Sequence, residues 1–140
     1  MISSSFSYLL DIFSGIITLR SAKNEDALTN LVAKKLSALT AEGKLNAVWF
    51  HVPNETVVSG SKDFLRLRKK KALGLIPGAP DFVLVSNENA VFLELKTKKG
   101  RLSPAQEKFK KWCELLSVKY YVARSVDDLV IVLQTEGFVK

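Results

Sequence analysis

The sequence predicts an α/β domain with a mixed central sheet of about four strands flanked by helices. Amphipathic helix patterns alternate along the chain with short runs rich in β-branched and aromatic residues. Two of those runs are separated only by a turn, which predicts a β-hairpin. The length of 140 residues and the 47% hydrophobic content suit one packed core.

The charge balance is the most informative feature of the composition. The 21 Lys and Arg against 14 Asp and Glu give a net charge of +7 and a pI of about 9.6. This excess favours a polyanionic partner, nucleic acid ahead of an anionic membrane. Cys113 is the only cysteine, which excludes an intrachain disulfide and a cysteine-based zinc site. We therefore expect a reducing, cytoplasmic compartment, that of the host if the gene is viral.

Residues 1–22 are expected to form an N-terminal amphipathic segment. The stretch FSYLLDIFSGIITL places apolar residues at helical spacing, namely Phe6, Leu9, Leu10, Phe13 and Ile17. It is too short to span a bilayer and it contains Asp11, so we expect no membrane partner. The segment is predicted to pack on its own domain or on the second subunit of a homodimer, and residues 23–140 to form the main domain.

The first helix of that domain is predicted from about Glu25 to Glu42. Asn24 can cap it, the acids Glu25 and Asp26 suit its first turn, and Gly43 can end it. Its expected buried stripe consists of Leu28, Leu31, Val32, Leu36 and Leu39.

The middle of the chain predicts one strand, a short helix and the hairpin. Ala47–Val52 has the composition of a strand and stops before Pro53. SKDFLRLRKKKALG then predicts a short helix capped by Ser61 or Asp63. The strands DFVLVS and AVFLELK follow, joined by a turn around Asn87–Asn89.

The last third predicts a helix, a strand and a final helix. SPAQ begins the first of these helices, with Ser103 and Gln106 placed as a capping box. VKYYVA is the fourth strand, and SVDDLVIVLQTEG is the last helix, with Ser125 and Asp128 as a second capping box. Three further side chains are expected in the core: Trp49, Trp112 and Cys113.

The hairpin carries charges that a core strand does not need. Asp81 begins its first strand, and Glu94 and Lys96 end its second. A connecting loop of two or four residues would bring all three together, whereas a loop of three or five would put Asp81 on the opposite face. Two nearby carboxylates repel each other, and Mg²⁺ or Mn²⁺ relieves that repulsion. A lysine beside such a cation is the kind of residue that assists phosphodiester hydrolysis. A simple salt bridge between Lys96 and an acid would equally explain why these residues are present.

The segments GLIPGAPD and ELKTKKGRLSPAQ resemble the virus-type replication-repair nuclease (VRR-NUC) family of the PD-(D/E)XK nuclease superfamily, with its PGxPD segment, ExK strand and SPxQ helix start. The similarity runs from about Glu25 to the fourth strand and includes FHVPNE. It implies a restriction-endonuclease-like core, and an Mg²⁺- or Mn²⁺-dependent endodeoxyribonuclease that leaves 5′-phosphate and 3′-hydroxyl ends.

The resemblance also implies roles for individual residues. Asp81 and Glu94 would be metal ligands, with the backbone carbonyl of Leu95 as the third, and Lys96 would be the catalytic lysine. Gln106 falls on the motif glutamine, although the capping box explains a glutamine there equally well. Glu25 sits where the first helix of the family supplies an acid, with Asp26 as its rival and a favourable charge at the helix start as the alternative reason.

Two groups of basic residues are candidate DNA contacts. The first lies on the short second helix, and the second follows Lys96: Arg66, Lys69 and Lys70, then Lys98, Lys99 and Arg101. These residues would flank the metal site and guide DNA phosphates to it. The alternative is that both groups are ordinary solvent-exposed charges. No base-reading motif is present in the sequence, so we expect recognition of the DNA backbone and of branched or bent shape.

These features favour a nuclease that acts on branched DNA. A chain of little more than this domain resembles Holliday junction resolvases, which act as homodimers because two sites must cut two strands. A monomeric flap or nicking nuclease and a DNA-binding module without catalysis are the alternatives. An anionic-membrane binder fits poorly, because the basic residues lie mostly outside the N-terminal segment.

Overall fold

The protein is described from a computed structural model that covers residues 24–53 and 61–139, apart from the side chains at 24, 61–64 and 67. The predicted amphipathic segment at 1–22, the end of FHVPNE, and the capping roles of Asn24, Ser61 and Asp63 lie outside these described residues. No helix in the described ranges is long and apolar enough to cross a membrane.

The helices and strands follow one another in the predicted order. The elements are α1 (Asn24–Ala41), β1 (Val48–His51), α2 (Ser61–Ala72), β2 (Phe82–Val85), β3 (Ala90–Leu95), α3 (Pro104–Leu115), β4 (Lys119–Ala123) and α4 (Val126–Thr135). Each boundary lies within a few residues of the one that the sequence patterns predict.

The four strands form one mixed sheet in the order β1-β2-β3-β4. The first three strands pair antiparallel, and β4 pairs parallel with β3. A parallel pair needs a crossover, which α3 provides between β3 and β4. The predicted fold class, a mixed four-stranded sheet flanked by helices, is confirmed.

One face of the sheet forms the main core together with α1 and α4. Every second side chain along a strand points into this core, as Phe82 and Leu84 of β2 do. The helices contribute Val32 and Leu36 from α1 and Leu133 from α4. The predicted buried stripe of α1 is correct except for Leu31, which is half-exposed. The row of residues 28, 32 and 36, spaced by four, faces the sheet and leaves residue 31 to one side.

The opposite face of the sheet is covered by α3. Phe109 packs its ring on Phe92 of β3 and Tyr120 of β4, with centroid distances of 5.7 and 6.3 Å. Cys113 is buried as expected. The prediction that Trp112 lies in the core is wrong, because Phe109 takes the inward position and the Trp112 ring only packs edge-on against it, leaving 49% of the residue exposed.

The two predicted capping boxes behave differently. At α3, Ser103 Oγ accepts from Gln106 N–H and Gln106 Oε1 accepts from Ser103 N–H, so this box is complete. At α4, Ser125 Oγ accepts from Asp128 N–H as expected. The Asp128 carboxylate, however, accepts from the N–H of Arg124 at 2.8 Å, so it satisfies the backbone donor one residue earlier than a capping box would.

Candidate metal centre

The hairpin register determines which charged residues meet. β2 and β3 are joined by four residues, 86–89, and Phe82 pairs with Leu93. Extending that register by one position places Asp81 across from Glu94, which is the arrangement that a four-residue loop predicts. Asp81 Oδ2 accepts a 2.7 Å hydrogen bond from the N–H of Leu95, so the carboxylate is held against the end of β3.

The backbone of Asp81 is fixed from the other side by β1. Its carbonyl oxygen accepts from the N–H of Val52 at 2.7 Å and lies 2.8 Å from His51 Nδ1. His51 also packs on the Phe82 ring, with a centroid distance of 5.0 Å. His51 therefore helps to position Asp81, and its imidazole is bonded to backbone, as expected for a lone histidine on a strand.

Glu94 is buried at the end of β3, with 1% of its surface exposed. Its Oε1 accepts a 2.9 Å hydrogen bond from Gln106 Nε2. Its Oε2 is also buried and has no hydrogen-bond partner among the described residues. A buried carboxylate oxygen without a donor costs free energy, so a proton or a cation is needed to satisfy it.

Gln106 performs both of the roles that its position allows. Its side-chain oxygen completes the capping box of α3, and its side-chain nitrogen donates to Glu94. Because the first turn of α3 is rigid, the amide nitrogen is held at a fixed place over the end of β3. The side chain of Gln106 therefore both caps α3 and contacts Glu94.

The surroundings of Glu94 raise its pKa from 4.5 to about 9. Burial is the largest cause, because it disfavours the charged carboxylate. The negative charge of Asp81 raises the pKa further, as does a hydrogen bond that protonated Glu94 can donate to Asp81. Lys96 opposes these effects only in part. In the absence of a cation, the raised pKa of Glu94 therefore favours its protonated form at neutral pH.

Lys96 follows β3 directly and is paired with an acid from α1. Its Nζ lies 3.5 Å from Glu25 Oε1, and its side chain is only 12% exposed, whereas that of Glu25 is half-exposed. The charge of Glu25 also contributes to the raised pKa of Glu94. The first turn of α1 thus supplies an acid to the site, and Glu25 makes this contact.

The donors at the site are all oxygen atoms. Within the described part of the chain, no three His, Cys, Asp or Glu side chains are grouped as a ready metal site. The pair Asp81 and Glu94 is sufficient for Mg²⁺, which usually takes one or two carboxylates and keeps several waters. Leu95 ends β3 beside Glu94, and the role of its carbonyl as a third ligand stays a prediction.

Gly78 explains why the PGAPD loop lies so close to α3. Its φ is +81°, and a Cβ there would overlap the carbonyl group of Ala105 and lie 2.7 Å from the backbone nitrogen of Gln106. Only a glycine allows this approach. The loop that ends in Asp81 is therefore packed against the turn that carries Gln106.

The residues predicted to contact DNA are exposed, and they form two separate groups. Lys98, Lys99 and Arg101 lie in the loop after β3, and Arg66, Lys69 and Lys70 lie on α2. The first loop is fixed by Arg124, whose guanidinium donates to the carbonyls of Thr97 and Gly100 at 2.7 Å each. Whether both groups contact DNA stays a prediction.

Sequence reasoning missed Arg124 and Tyr120. Tyr120 lies opposite Phe92 on the α3 side of the sheet, and its buried hydroxyl has no hydrogen-bond partner in the described ranges. Burial raises its pKa most, followed by the charges of Glu94 and Asp81. Only the parallel β3–β4 register, which the sequence does not reveal, brings Tyr120 to this face.

Comparison with known proteins found a family match and a structural neighbour. A family model for the VRR-NUC domain matches residues 25–127, which include every residue of the site. A solved structure described as a VRR_NUC domain protein has a similar fold, with a TM-score of 0.57 and 17% sequence identity over 82% of this chain and 88% of the other. No curated protein sequence matches the chain.

The close approach at Gly78 predicts a larger cost for Gly78→Ala than for Gly74→Ala. Both glycines have positive φ, but a Cβ at Gly74 meets nothing within 4 Å. We expect Gly74→Ala to lower the free energy of unfolding by roughly 1–2 kcal/mol through backbone strain, and Gly78→Ala by roughly 2–4 kcal/mol because α3 must also move. Urea unfolding measures both, and equal losses would contradict the packing argument.

The raised pKa of Glu94 predicts a particular pH dependence of stability in EDTA. The unfolded chain loses this proton near its ordinary pKa of 4.5, whereas the folded protein retains it to about pH 9. The free energy of unfolding should therefore fall between these values as pH rises. Glu94→Gln, which cannot titrate but can still donate to Asp81, should be more stable at pH 8 by roughly 1–3 kcal/mol.

The control for this comparison is Glu88→Gln, in the exposed hairpin turn. It should leave the pH dependence of the wild type intact. A Glu94→Gln protein with the same decline in stability between pH 5 and 9 as the wild type would show that the carboxyl pair does not hold the proton.

Proposed function

The chain belongs to the VRR-NUC domain family, and we propose that it is a metal-dependent endodeoxyribonuclease acting on branched DNA. Family membership implies a nuclease-type, DNA-processing function. The more specific proposal rests on one observation: Glu94 Oε2 is buried beside Asp81 without a hydrogen-bond donor among the described residues. A salt bridge at a strand end would not require a buried acid, Glu94, beside a second, partly buried acid that repels it.

Asp81 and Glu94, with the carbonyl of Leu95, would hold Mg²⁺ or Mn²⁺. The donor set fits such a cation because it consists of oxygen atoms, and because one of them is buried without a donor in the described part of the chain. Gln106 and the N–H of Leu95 fix one oxygen of each carboxylate, so the site is preformed. A bound divalent cation would supply positive charge to offset the charge that builds on the phosphate during hydrolysis.

Lys96 is the residue that we assign to the reacting groups. Its pairing with Glu25 and its low exposure restrict its ammonium to the neighbourhood of the carboxylates. There it can donate to a phosphate oxygen or to the attacking water. The water oxygen bonds to phosphorus and loses a proton, while the bond to the 3′ oxygen breaks and that oxygen gains one. The products would carry 5′-phosphate and 3′-hydroxyl ends, as the family resemblance implies.

The basic loop after β3 would carry the DNA backbone past the site. Arg124 holds the carbonyls of this loop inward, which supports an outward direction for Lys98, Lys99 and Arg101. Contacts to phosphates position DNA without reading its sequence, so selectivity would come from the shape of the DNA. We propose a homodimer that cuts a four-way junction, because symmetric cleavage of two strands requires two sites.

The test is cleavage of labelled four-way junction, flap, single-stranded and duplex DNA in Mg²⁺ or Mn²⁺. We expect wild type to cut the junction symmetrically, and Asp81→Asn and Lys96→Ala to bind it but to lose at least about 100-fold in rate. Lys35→Ala, an exposed lysine on α1, is the matched control and should cut normally.

Other outcomes discriminate among the remaining functions. Cutting of the flap alone by a monomer would replace the resolvase-like proposal with a flap nuclease. Wild-type protein that binds DNA and cuts nothing in either metal would make the chain a binding module, and the carboxylate pair would then have no catalytic role.

A further inference from the structure

An apolar groove of about 530 Å³ opens between the PGAPD loop and α3. Its walls include Ile76 and Pro77 from the loop and Ala105, Phe109 and Trp112 from the helix. Its size is in the range of about 300–1,000 Å³ that is usual for pockets that bind small molecules. Trp112 leaves half of its surface exposed here, and exposed tryptophan rings of this size are typical of binding interfaces.

The two elements that line the groove also carry residues of the carboxylate site. Pro77 precedes Gly78, whose backbone packs against Ala105, and Asp81 follows three residues later. On the helix, Ala105 precedes Gln106, which donates to Glu94. The same loop and the same helical turn therefore form one wall of the groove and one side of the carboxylate pair, so a ligand in the groove would adjoin a phosphate placed at the carboxylates.

The charge of the groove limits what can occupy it. Lys108 is the one charged residue of its lining in the described ranges, and it is exposed at the rim. Its neighbours along α3 include the exposed acid Glu107, and Lys111, which forms a 3.9 Å ion pair with Glu114. A ligand that matches this surface has a flat apolar face for the Trp112 ring and a negative charge next to it for Lys108. An unpaired nucleotide has both.

We propose that the groove holds one unpaired base of the DNA strand that is cut, stacked on Trp112, with the neighbouring phosphate on Lys108. This inference rests on the proposed nuclease function and names the feature of the substrate that the site selects. A base in a continuous duplex must leave its stack before it can enter, and that step costs free energy. DNA in which a base next to the scissile phosphate is already unpaired avoids this cost, so the groove favours flaps, bulges and frayed branch points of junctions over plain duplex.

The experiment measures binding without cleavage. Full-length protein is titrated in EDTA against a duplex with one unpaired 2-aminopurine and against the fully paired duplex of the same sequence. The variants are Trp112→Ala, Trp112→Phe, which keeps a ring, and Leu115→Ala, which removes an exposed apolar side chain from the same helix outside the groove. Anisotropy gives the affinities, and the fluorescence of 2-aminopurine reports stacking.

We expect Trp112→Ala to weaken binding of the unpaired substrate by roughly 5- to 100-fold and to restore the 2-aminopurine fluorescence that wild type quenches. Binding of the paired duplex should change little. Trp112→Phe should retain most of the affinity, and Leu115→Ala all of it. Circular dichroism verifies that each variant is folded.

Four results would overturn the inference. Trp112→Ala could weaken both substrates equally or neither, or Leu115→Ala could have the same effect. Trp112→Ala could instead convert a dimer to a monomer in sedimentation, which would make the groove an interface between copies. These failures are distinct from failure of the nuclease proposal, because wild-type cleavage in Mg²⁺ or Mn²⁺ is scored separately from binding in EDTA.

Discussion

The repulsion between the carboxyl groups of Asp81 and Glu94 is the constraint around which the site is built. The hairpin register forces the two groups together, and burial of Glu94 prevents water from screening them. The surrounding residues hold this arrangement in place: the N–H of Leu95 and the amide of Gln106 each fix one oxygen. A proton or a cation between the two groups relieves their repulsion, and a cation there is the one that the proposed hydrolysis would use.

The position of α3 couples the fold to this pair. Its first turn carries Gln106, and that turn is located by the contact between Gly78 and Ala105. The helix also covers the sheet through Phe109, so the core on this face and the site share one element. Because Phe109 takes the inward position, Trp112 is left at the edge, where it lines the groove beside the carboxylates.

Local chemistry explains which features could be predicted from the sequence. The hairpin and the capping box at Ser103 depend on residues close in the chain, so their patterns could be predicted. The loop parity stayed open until the structure gave a four-residue loop, and the roles of Asp81, Glu94 and Gln106 came from the family resemblance. Arg124, Tyr120 and the exposure of Trp112 depend on how β4 and α3 pack on the sheet. Helical spacing alone could not tell which aromatic residue of α3 faces inward.

Locating a cation on the protein would test the metal centre most directly. Mn²⁺ is titrated into ¹⁵N-labelled protein, because its unpaired electrons broaden the signals of nearby amides. We expect the amides of Glu94, Leu95 and Gln106 to broaden first in the wild type, and this selectivity to be lost in Asp81→Asn. Broadening that begins elsewhere, such as at the exposed Asp127 near the start of α4, would contradict a metal centre at the hairpin.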